Sequence, residues 1–439
     1  MKNKEKKIIY QLALRTFTPD GTLNAATKML AHVAALGVDI VYICPFFVTE
    51  KDENREFWSK RQLASQTNNP KNPYKIADYF HVDEEYGTDE DLKAFVDEAH
   101  RLGLGVMFDL VYLHCGREAI FIEEHPDFVE RNEDGSLKVP DRWPFARLNF
   151  ESRALREYLF ENMEMFVREY GVQGFRCDVG DSVPLDFWQE AFGRLRAIDP
   201  DLIMLNEGVK EAYLENVFDW GYSFEYRKTM VNIFAKDQPA TALRELYDRE
   251  CVRYGQNIVN LTRALDNHDT ASDCGLARNE IIMTSRGVEA ALVVTNTYLG
   301  IPFFWNGYEV CYDAENNMFS NRFYGRRSQL DWSKAFTANG ARRIELVKKV
   351  HALHHAYDAI TNGELIWVEN DHPDDVISYV RASGEQKLLV LGNSKNYDVS
   401  AKLDFDGRIN ETILRYGTKT ENDTVFEMKP YGYLVVRCS

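Results

Sequence analysis

The feature that most constrains the fold is a regular alternation of short apolar runs with longer amphipathic segments. Eight runs are typical of β-strands: residues 8–17, 40–46, 105–111, 174–179, 202–207, 219–224, 259–268 and 301–306. Amphipathic helices are predicted between them, for example at 25–36, 89–102, 153–170, 186–197 and 286–299. This alternation favours parallel strands joined by crossover helices. Eight such units indicate an α/β fold of the closed (β/α)8 TIM barrel type rather than an open doubly wound sheet, whose glycine-rich phosphate motif is missing.

Two connections and the C-terminal region depart from this alternation. Residues 47–88, after the second strand, and 114–150, after the third, are long and follow strand ends where barrel enzymes build their sites. We expect both to enclose a substrate, the second as a small excursion. Beyond residue 360, short alternating runs between turn residues predict an all-β sandwich. The predicted domains are 1–360, the barrel with its inserted segment at 114–150, and 361–439.

Composition excludes several kinds of partner. The chain carries 52 Lys and Arg against 69 Asp and Glu, a net charge of −17, so we expect neither a nucleic acid nor a membrane surface as partner. No apolar run approaches the roughly 18 residues of a membrane-spanning helix. The cysteines number seven and form no CxxC pair, which favours a reducing, cytoplasmic location; a signal peptide already removed would leave the same sequence. The sequence does not fix the oligomeric state.

Acidic residues stand at the ends of four predicted strands. They are Asp109, Asp178, Glu207 and Asp269. A strand of aliphatic residues has little reason to end in an acid, because burying an unpaired charge costs several kcal/mol. Any one of them could cap a helix or join an ion pair. Four at equivalent positions of one barrel indicate a catalytic site.

Two of these acids are predicted to differ in ionisation. Arg176 and Asp178 are two residues apart on one strand, so their side chains share a face, and the guanidinium should lower the pKa of Asp178. Glu207 follows an apolar run, which should raise its pKa and suit a general acid. A nucleophile and an acid about 5–5.5 Å apart are what retaining glycoside hydrolysis requires.

Four segments in order resemble the signature regions of the α-amylase family, glycoside hydrolase family 13. They are DLVYLH (109–114), GFRCDV (174–179), NEG (206–208) and DNHD (266–269), supported by NPYKIADYFHVDEEYGT (72–88) and GIPFFWNGYE (300–309). The resemblance covers about residues 8–335, and the β-rich C-terminal region is similar to the family's usual C-terminal sandwich. Together the motifs are highly specific, although each alone would be weak.

The resemblance also implies roles for individual residues. Asp178 would be the nucleophile, Glu207 the acid/base and Asp269 the transition-state stabiliser. His114, Arg176 and His268 would hold the sugar at the cleavage subsite. Tyr74 would stack on that sugar, and Asp109 would support the site. No metal ligand is predicted among them.

The sequence departs from the family pattern at two positions. Leu113 replaces an oxygen ligand of the family's structural calcium, so we expect no cofactor, or at most a weakened calcium site. Asp181 stands where many starch-cleaving members carry a lysine that contacts the leaving-group side. Together with the small excursion, this predicts a preference for short malto-oligosaccharides over starch, unless Trp58 or Arg61 supplies replacement contacts.

The leading hypothesis is therefore a retaining α-glycosidase of the α-amylase type. Its substrate would be an α-linked glucose oligosaccharide or glucan. A transglycosylase or sugar isomerase that uses the same glycosyl-enzyme is the nearest alternative, and a catalytically silent carbohydrate-binding relative is the alternative from another class. Trp305 and Tyr308, near the barrel mouth, could also stack on sugars.

Overall fold

Eight parallel strands form the centre of the molecule in a computed structural model that describes residues 6–140, 143–273, 277–324 and 328–439. In chain order β1 to β8 are Ile9–Leu12, Ile40–Ile43, Gly105–Leu110, Gly174–Cys177, Ile203–Asn206, Trp220–Gly221, Thr262–Arg263 and Ile301–Trp305. They hydrogen-bond in the order β6-β5-β4-β3-β2-β1-β8-β7. A parallel bridge between Gly221 and Leu261 joins the two ends of this sheet. The predicted (β/α)8 barrel is confirmed.

Helices and helical turns surround the strands and connect them. The α-helices are Leu14–Phe17, Leu23–Thr27, Leu30–Ala35, Lys60–Ala64, Asp89–Arg101, Arg153–Met165, Leu185–Ile198, Glu211–Asn216, Phe224–Ala235, Thr241–Tyr254, His268–Ala271, Asn279–Ile282, Thr284–Thr297, Ala338–Ala356 and Asp358–Thr361. The 3-10 turns are Arg55–Phe57, Pro126–Phe128, Gly180–Ser182, Gly255–Asn260, Tyr308–Val310 and Trp332–Phe336, and Phe166–Tyr170 is a π-helical turn. Helix Asp89–Arg101 shows the local logic, because Thr88 caps it in a capping box and its apolar face is buried.

Several predicted strands end earlier than their apolar runs, most of all the first and the seventh. The first run turns helical at Leu14–Phe17. The run at 259–268 forms a strand only over β7, because Asn267 begins a new helix: its side-chain oxygen accepts a hydrogen bond from the amide of Thr270 at 3.0 Å. At the second of these sites a polar capping residue therefore overrules the apolar pattern.

Both long connections rise from the carboxyl ends of strands, as predicted. The first contains the antiparallel strands Phe47–Lys51 and Lys71–Val82, with the short helix Lys60–Ala64 between them. The second is held by the two-residue pair His114–Cys115 and Ala146–Arg147. We refer to residues 47–82 as the first excursion and to residues 114–150 as the second excursion.

The C-terminal region is an antiparallel sheet of six strands. β9 to β14 are Glu364–Trp367, Val376–Ser383, Gln386–Asn393, Val399–Lys402, Ile409–Asn422 and Val425–Cys438. Their order is β9-β10-β11-β14-β12, and β13 pairs with β14 along its length. The predicted C-terminal all-β unit is confirmed; it is one continuous sheet that encloses an apolar cluster including Leu389, Phe426 and Val436.

The C-terminal sheet packs on the barrel through helix Thr284–Thr297. The hydroxyl of Tyr379 donates to the carbonyl of Val294 at 3.2 Å, and Arg381 donates to the carbonyl of Thr297 at 2.9 Å. The boundary at residue 360 stays a prediction. No helix among the described residues is both long enough and apolar enough to cross a membrane.

A buried carboxyl group lies beneath the mouth of the barrel. Glu309, which is fully buried, accepts hydrogen bonds from the hydroxyl of Tyr10 at 2.6 Å and the amide of Gly307 at 2.8 Å. The imidazole of His32 is 4.0 Å away, and burial lowers its pKa. Burial raises the pKa of Glu309 to about 7, because two hydrogen bonds replace only part of its hydration.

Candidate active site

The barrel gathers the four predicted acids, because the carboxyl ends of parallel strands meet at one mouth. Asp109 lies within β3, whereas Asp178 and Glu207 follow β4 and β5 directly. Asp269 occupies the first turn of the helix that follows β7. The two excursions add Tyr74 and His114 to the same mouth.

The sheet itself fixes the two central acids. The amide of Asp178 donates to the carbonyl of Leu110 at 2.9 Å, and the amide of Glu207 donates to that of Cys177 at 3.1 Å. These bonds continue the ladders between neighbouring strands by one residue. Both carboxyl groups are therefore held by the rigid part of the fold rather than by a loop.

Arg176 is the electrostatic centre of the site. Its Nη1 donates to Asp109 Oδ1 at 2.6 Å and to Asp178 Oδ1 at 2.9 Å, and its Nη2 lies 2.5 Å from Glu207 Oε2. The contact to Glu207 is an ion contact without the direction of a hydrogen bond. Burial alone would lower the pKa of Arg176, but the carboxylates of Asp109 and Glu207 raise it well above its ordinary value. One guanidinium is thus shared by three carboxyl groups.

Asp178 and Glu207 lie on either side of one guanidinium, with Asp178 at Nη1 of Arg176 and Glu207 at Nη2. Burial raises the pKa of Asp178 well above its ordinary value and also raises that of Glu207. Arg176 lowers the pKa of Asp178, as predicted, but burial outweighs it and the net shift is upward. Burial is the larger effect, and the neighbouring carboxyl groups of Glu207 and Asp109 raise the pKa of Asp178 further. The pair therefore retains one proton more readily than two isolated carboxyl groups would.

A chain of hydrogen bonds links Tyr74, His268 and Asp109. The hydroxyl of Tyr74 lies 2.7 Å from His268 Nε2 and 3.0 Å from Asp109 Oδ2. Gln11 Nε2 lies 2.6 Å from His268 Nδ1, and the hydroxyl of Tyr42 donates to Asp109 Oδ2 at 2.5 Å. Burial lowers the pKa of His268 to about 4, so the ring is neutral. With the amide of Gln11 as donor, His268 carries its proton on Nε2 and donates to Tyr74, which in turn donates to Asp109.

His114 stands beside the proposed nucleophile. Its Nε2 lies 3.9 Å from Asp178 Oδ2, and the ring packs against Phe145 with 4.5 Å between ring centroids. Burial lowers the pKa of His114 to about 3, so this ring too is neutral. Its Nδ1 is buried without a hydrogen-bond partner. A neutral donor beside Asp178 suits the binding of a sugar hydroxyl.

Asp269 is held by an arginine of the first excursion. Arg61, from the first excursion, bonds Asp269 Oδ1 through Nη1 and Asp273 Oδ1 through Nε, the latter at 2.7 Å. His268 Nε2 lies 3.8 Å from Asp269 Oδ1. Unlike Asp178 and Glu207, Asp269 has a side chain that is 29% exposed. It is the acid of the trio that faces the open mouth.

The residue after the proposed nucleophile has a strained backbone. Val179 adopts φ 43° and ψ 41°, a left-handed conformation that costs a β-branched residue about 1–3 kcal/mol. Its amide donates to Glu207 Oε2 at 3.0 Å. The strained turn therefore places a donor directly on the proposed acid/base.

Asp181 does not face the leaving-group side as its sequence position suggested. It is buried, and its carboxylate accepts from Asn206 Nδ2 at 2.6 Å and from the amides of Val209 and Lys210 at 2.6 and 2.9 Å. A Cβ at position 208 would lie 2.2 Å from Asp181 Cγ, so Gly208 admits this close approach. Asp181 is a positioning residue that braces the turn carrying Glu207. The substrate-size expectation that rested on Asp181 loses that support.

The region around Leu113 does not fit the family's calcium site. Leu113 is buried within the main apolar cluster and offers no oxygen ligand. The nearby carbonyl of His114 already accepts a hydrogen bond from Tyr79 at 2.9 Å. Among the residues that the structure describes, no three His, Cys, Asp or Glu side chains are grouped so that they could hold a metal ion.

The other aromatic side chains that the sequence suggested for sugar binding are structural. Trp58 is buried and donates to the carbonyl of Asp52 at 2.7 Å. Trp305 and Tyr308 are also buried and unavailable for stacking on a sugar. The cysteines near the strand ends are free and buried, namely Cys44, Cys115 and Cys177. Cys274 lies outside the described residues.

Three kinds of comparison with known proteins agree with this geometry. A model of the alpha-amylase catalytic domain matches residues 3–135. A cyclomaltodextrinase from Bacillus sp. is 26% identical over 403 residues, covering 85% of this chain and 66% of that protein. A maltogenic alpha-amylase from Bacillus acidopullulyticus is 23% identical over 416 residues, covering 88% and 65%. The chain thus spans about two thirds of the length of these relatives.

A solved structure shows the same fold over the whole chain. The maltogenic alpha-amylase AmyB of Thermotoga neapolitana superimposes with a TM-score of 0.78 at 24% identity, covering 98% of both chains. Three observations point to the same family: the signature segments, the barrel that brings them to one mouth, and the similarity to these relatives. The chain resembles the α-amylase family, glycoside hydrolase family 13, in sequence and in fold.

Proposed function

We propose that the protein is a retaining α-glycosidase that hydrolyses α-linked glucose oligosaccharides or glucans by double displacement. The observation that carries the proposal is the Asp178–Glu207 pair: two buried carboxyl groups that share Arg176 and whose pKa values burial raises. The names of the relatives, a cyclomaltodextrinase and a maltogenic alpha-amylase, support the same substrate class.

In the first step Asp178 attacks the anomeric carbon of the bound sugar. Glu207 gives its proton to the glycosidic oxygen, so the bond from C1 to that oxygen breaks as the bond from C1 to Asp178 forms. The proton of the pair must be on Glu207 at this moment. The amide of Val179 on Glu207 Oε2 leaves the other oxygen of Glu207 to carry it.

In the second step Glu207, now ionised, removes a proton from water. The water oxygen attacks C1, the ester to Asp178 breaks, and the sugar leaves with its original anomeric configuration. Arg176 compensates the negative charge that alternates between the two carboxyl groups, because it contacts both. Asp269 stabilises the positive charge that develops on the sugar ring in both steps.

Chemical rescue tests the two roles separately. With α-maltosyl fluoride as substrate, Asp178→Gly in azide should form the β-glycosyl azide, because azide replaces the missing nucleophile. Glu207→Ala should instead form the α-glycosyl azide, because the glycosyl-enzyme still forms. The surface variant Asp186→Asn serves as the control and should show neither product.

A reducing-sugar assay of the unmodified protein separates hydrolysis from the two alternatives. Turnover without reducing sugar would indicate transfer or isomerisation. No turnover on any α-glucoside, together with no azide products, would contradict the proposed function.

A further inference from the structure

A single guanidinium connects the two sides of the barrel mouth. Arg61 belongs to the first excursion, after β2, and both of its partners, Asp269 and Asp273, belong to the loop after β7. In a closed eight-stranded barrel these loops flank β1 and β8. Glu207 follows β5, and the strand opposite β5 in the barrel is β1. Because the Arg61 bridge spans the loops that flank β1 and β8, it lies across the mouth from the proposed acid.

The helix that carries Arg61 is fixed in place. Ser59 caps it by accepting from the amide of Gln62 at 3.1 Å, and the buried side chain of Gln62 donates to the carbonyl of Asn69 at 2.9 Å. Asn69 Nδ2 in turn donates to the carbonyl of Phe319, in the loop after β8, at 3.0 Å. Arg61 therefore extends from a braced support rather than from a free loop.

The bridge occupies one oxygen of a proposed catalytic acid. Because Arg61 bonds Asp269 Oδ1, Oδ2 remains the freer oxygen for a sugar hydroxyl. A general acid stands on the leaving-group side of the scissile bond, so the side away from Glu207 receives the non-reducing part of the substrate. A glucan that continued past Asp269 on that side would meet the Arg61 bridge.

We propose that Arg61 is a specificity-determining and positioning residue that closes the non-reducing side of the cleft through its bridge to Asp269 and Asp273. The bridge limits how many sugar units fit beyond Asp269. It also fixes the position of the Asp269 carboxylate, which then contacts the sugar bound there. This inference rests on the proposed function and names the size class of its substrate, short malto-oligosaccharides.

The test compares kcat/KM on maltotriose and maltoheptaose for four proteins: the unmodified chain, Arg61→Ala, Arg61→Lys and Lys60→Ala. In Arg61→Ala the ratio of heptaose to triose should rise about fivefold or more, because the longer chain gains contacts that the bridge denied it. The value for maltotriose should fall, because Asp269 loses its partner. Arg61→Lys should restore much of the original ratio, and the exposed neighbour Lys60→Ala should not change it.

Two further measurements keep the inference testable. Asp273→Asn loosens the bridge without removing Arg61, so it should move the ratio in the same direction even if Arg61→Ala does not fold. Salt at about 1 M should do likewise in the unmodified chain, because exposed ion pairs are screened. An unchanged ratio in Arg61→Ala, with only the melting temperature lowered, would show a purely structural role and overturn the inference. If the unmodified chain cleaves neither substrate, the proposed function fails as well, and that result is visible without any variant.

Discussion

Removal of the carboxylate of Asp181 should damage the site without touching either proposed catalytic acid. In Asp181→Ala three donors lose their acceptor: the buried side-chain amide of Asn206 and the part-buried backbone amides of Val209 and Lys210. A buried donor left without a partner costs about 1–3 kcal/mol. Partial solvation of the loop will recover some of this, so we expect the free energy of unfolding to fall by about 3–5 kcal/mol.

Asp181→Asn is the matched variant and should be mild. Its amide oxygen can accept from Val209 and Lys210, and its NH2 group can donate to Asn206 Oδ1, which is buried without a partner and becomes available if the Asn206 amide turns over. The two backbone amides are then satisfied without a charge, and the Asn206 side chain keeps one hydrogen bond to position 181. We expect a loss of about 1 kcal/mol or less, because the geometry of the acceptor matters here more than its charge.

The assay uses two substrates that differ in their need for an acid. Maltotriose requires protonation of its leaving oxygen, whereas α-maltosyl fluoride has a leaving group that does not. A turn that no longer holds Glu207 should lower kcat on maltotriose by about 100-fold in Asp181→Ala and lower kcat on the fluoride much less. Equal losses on both substrates, or equal behaviour of the Ala and Asn variants, would refute the argument that Asp181 acts by positioning Glu207.

The remaining predictions concern other parts of the structure. Tyr74→Phe removes the link between His268 and Asp109 and should lower kcat/KM about tenfold with little change in melting temperature, as steady-state kinetics and thermal unfolding will show. In the folded state the pKa of Glu309 is raised to about 7, above its ordinary value in the unfolded chain. The stability that this shift contributes is therefore fully present below about pH 4.5 and is lost as the pH rises through 7. Glu309→Gln should therefore gain stability relative to the unmodified chain by about 3 kcal/mol between pH 5 and 8 in denaturant titrations, and a constant difference would contradict the assignment. Burial raises the pKa values of both Asp178 and Glu207, so both limbs of the pH–activity profile should lie at higher pH than those of exposed carboxyl groups. EDTA should change neither activity nor melting temperature, because Leu113 offers no calcium ligand; a loss restored by calcium would contradict this.

The sequence predicts those features that depend on periodicity or on position along a strand. The eight barrel strands follow from apolar runs bounded by turn residues, and the four acids follow from their place at strand ends. Gln11 and Tyr42, which bond His268 and Asp109, were missed although they too are polar residues in apolar strands. A search for strand-end polar side chains of every kind, not only acids, would have found them.

Other features lie beyond any local pattern. The pairing of strand Ile409–Asn422 is one of them, because four register irregularities interrupt its alternation of inward and outward residues. The Arg61–Asp269 pair joins residues 208 positions apart, so only the folded barrel reveals it. Asp181 shows a further limit: its position suggested substrate contact, but its direction depends on the close approach that Gly208 allows.

The barrel seam between β6 and β7 has a consequence for motion. These two strands are two residues each, and the described part of the chain joins them by the single bridge between Gly221 and Leu261. Sheet regions with few ladder bonds open at the lowest free energy, so the amides around this seam should exchange with solvent sooner than those of β1 to β5. Glu207 and Asp269 stand on the two sides of this seam. Opening of the barrel wall would therefore change the spacing of those two acids before it disturbed Asp178.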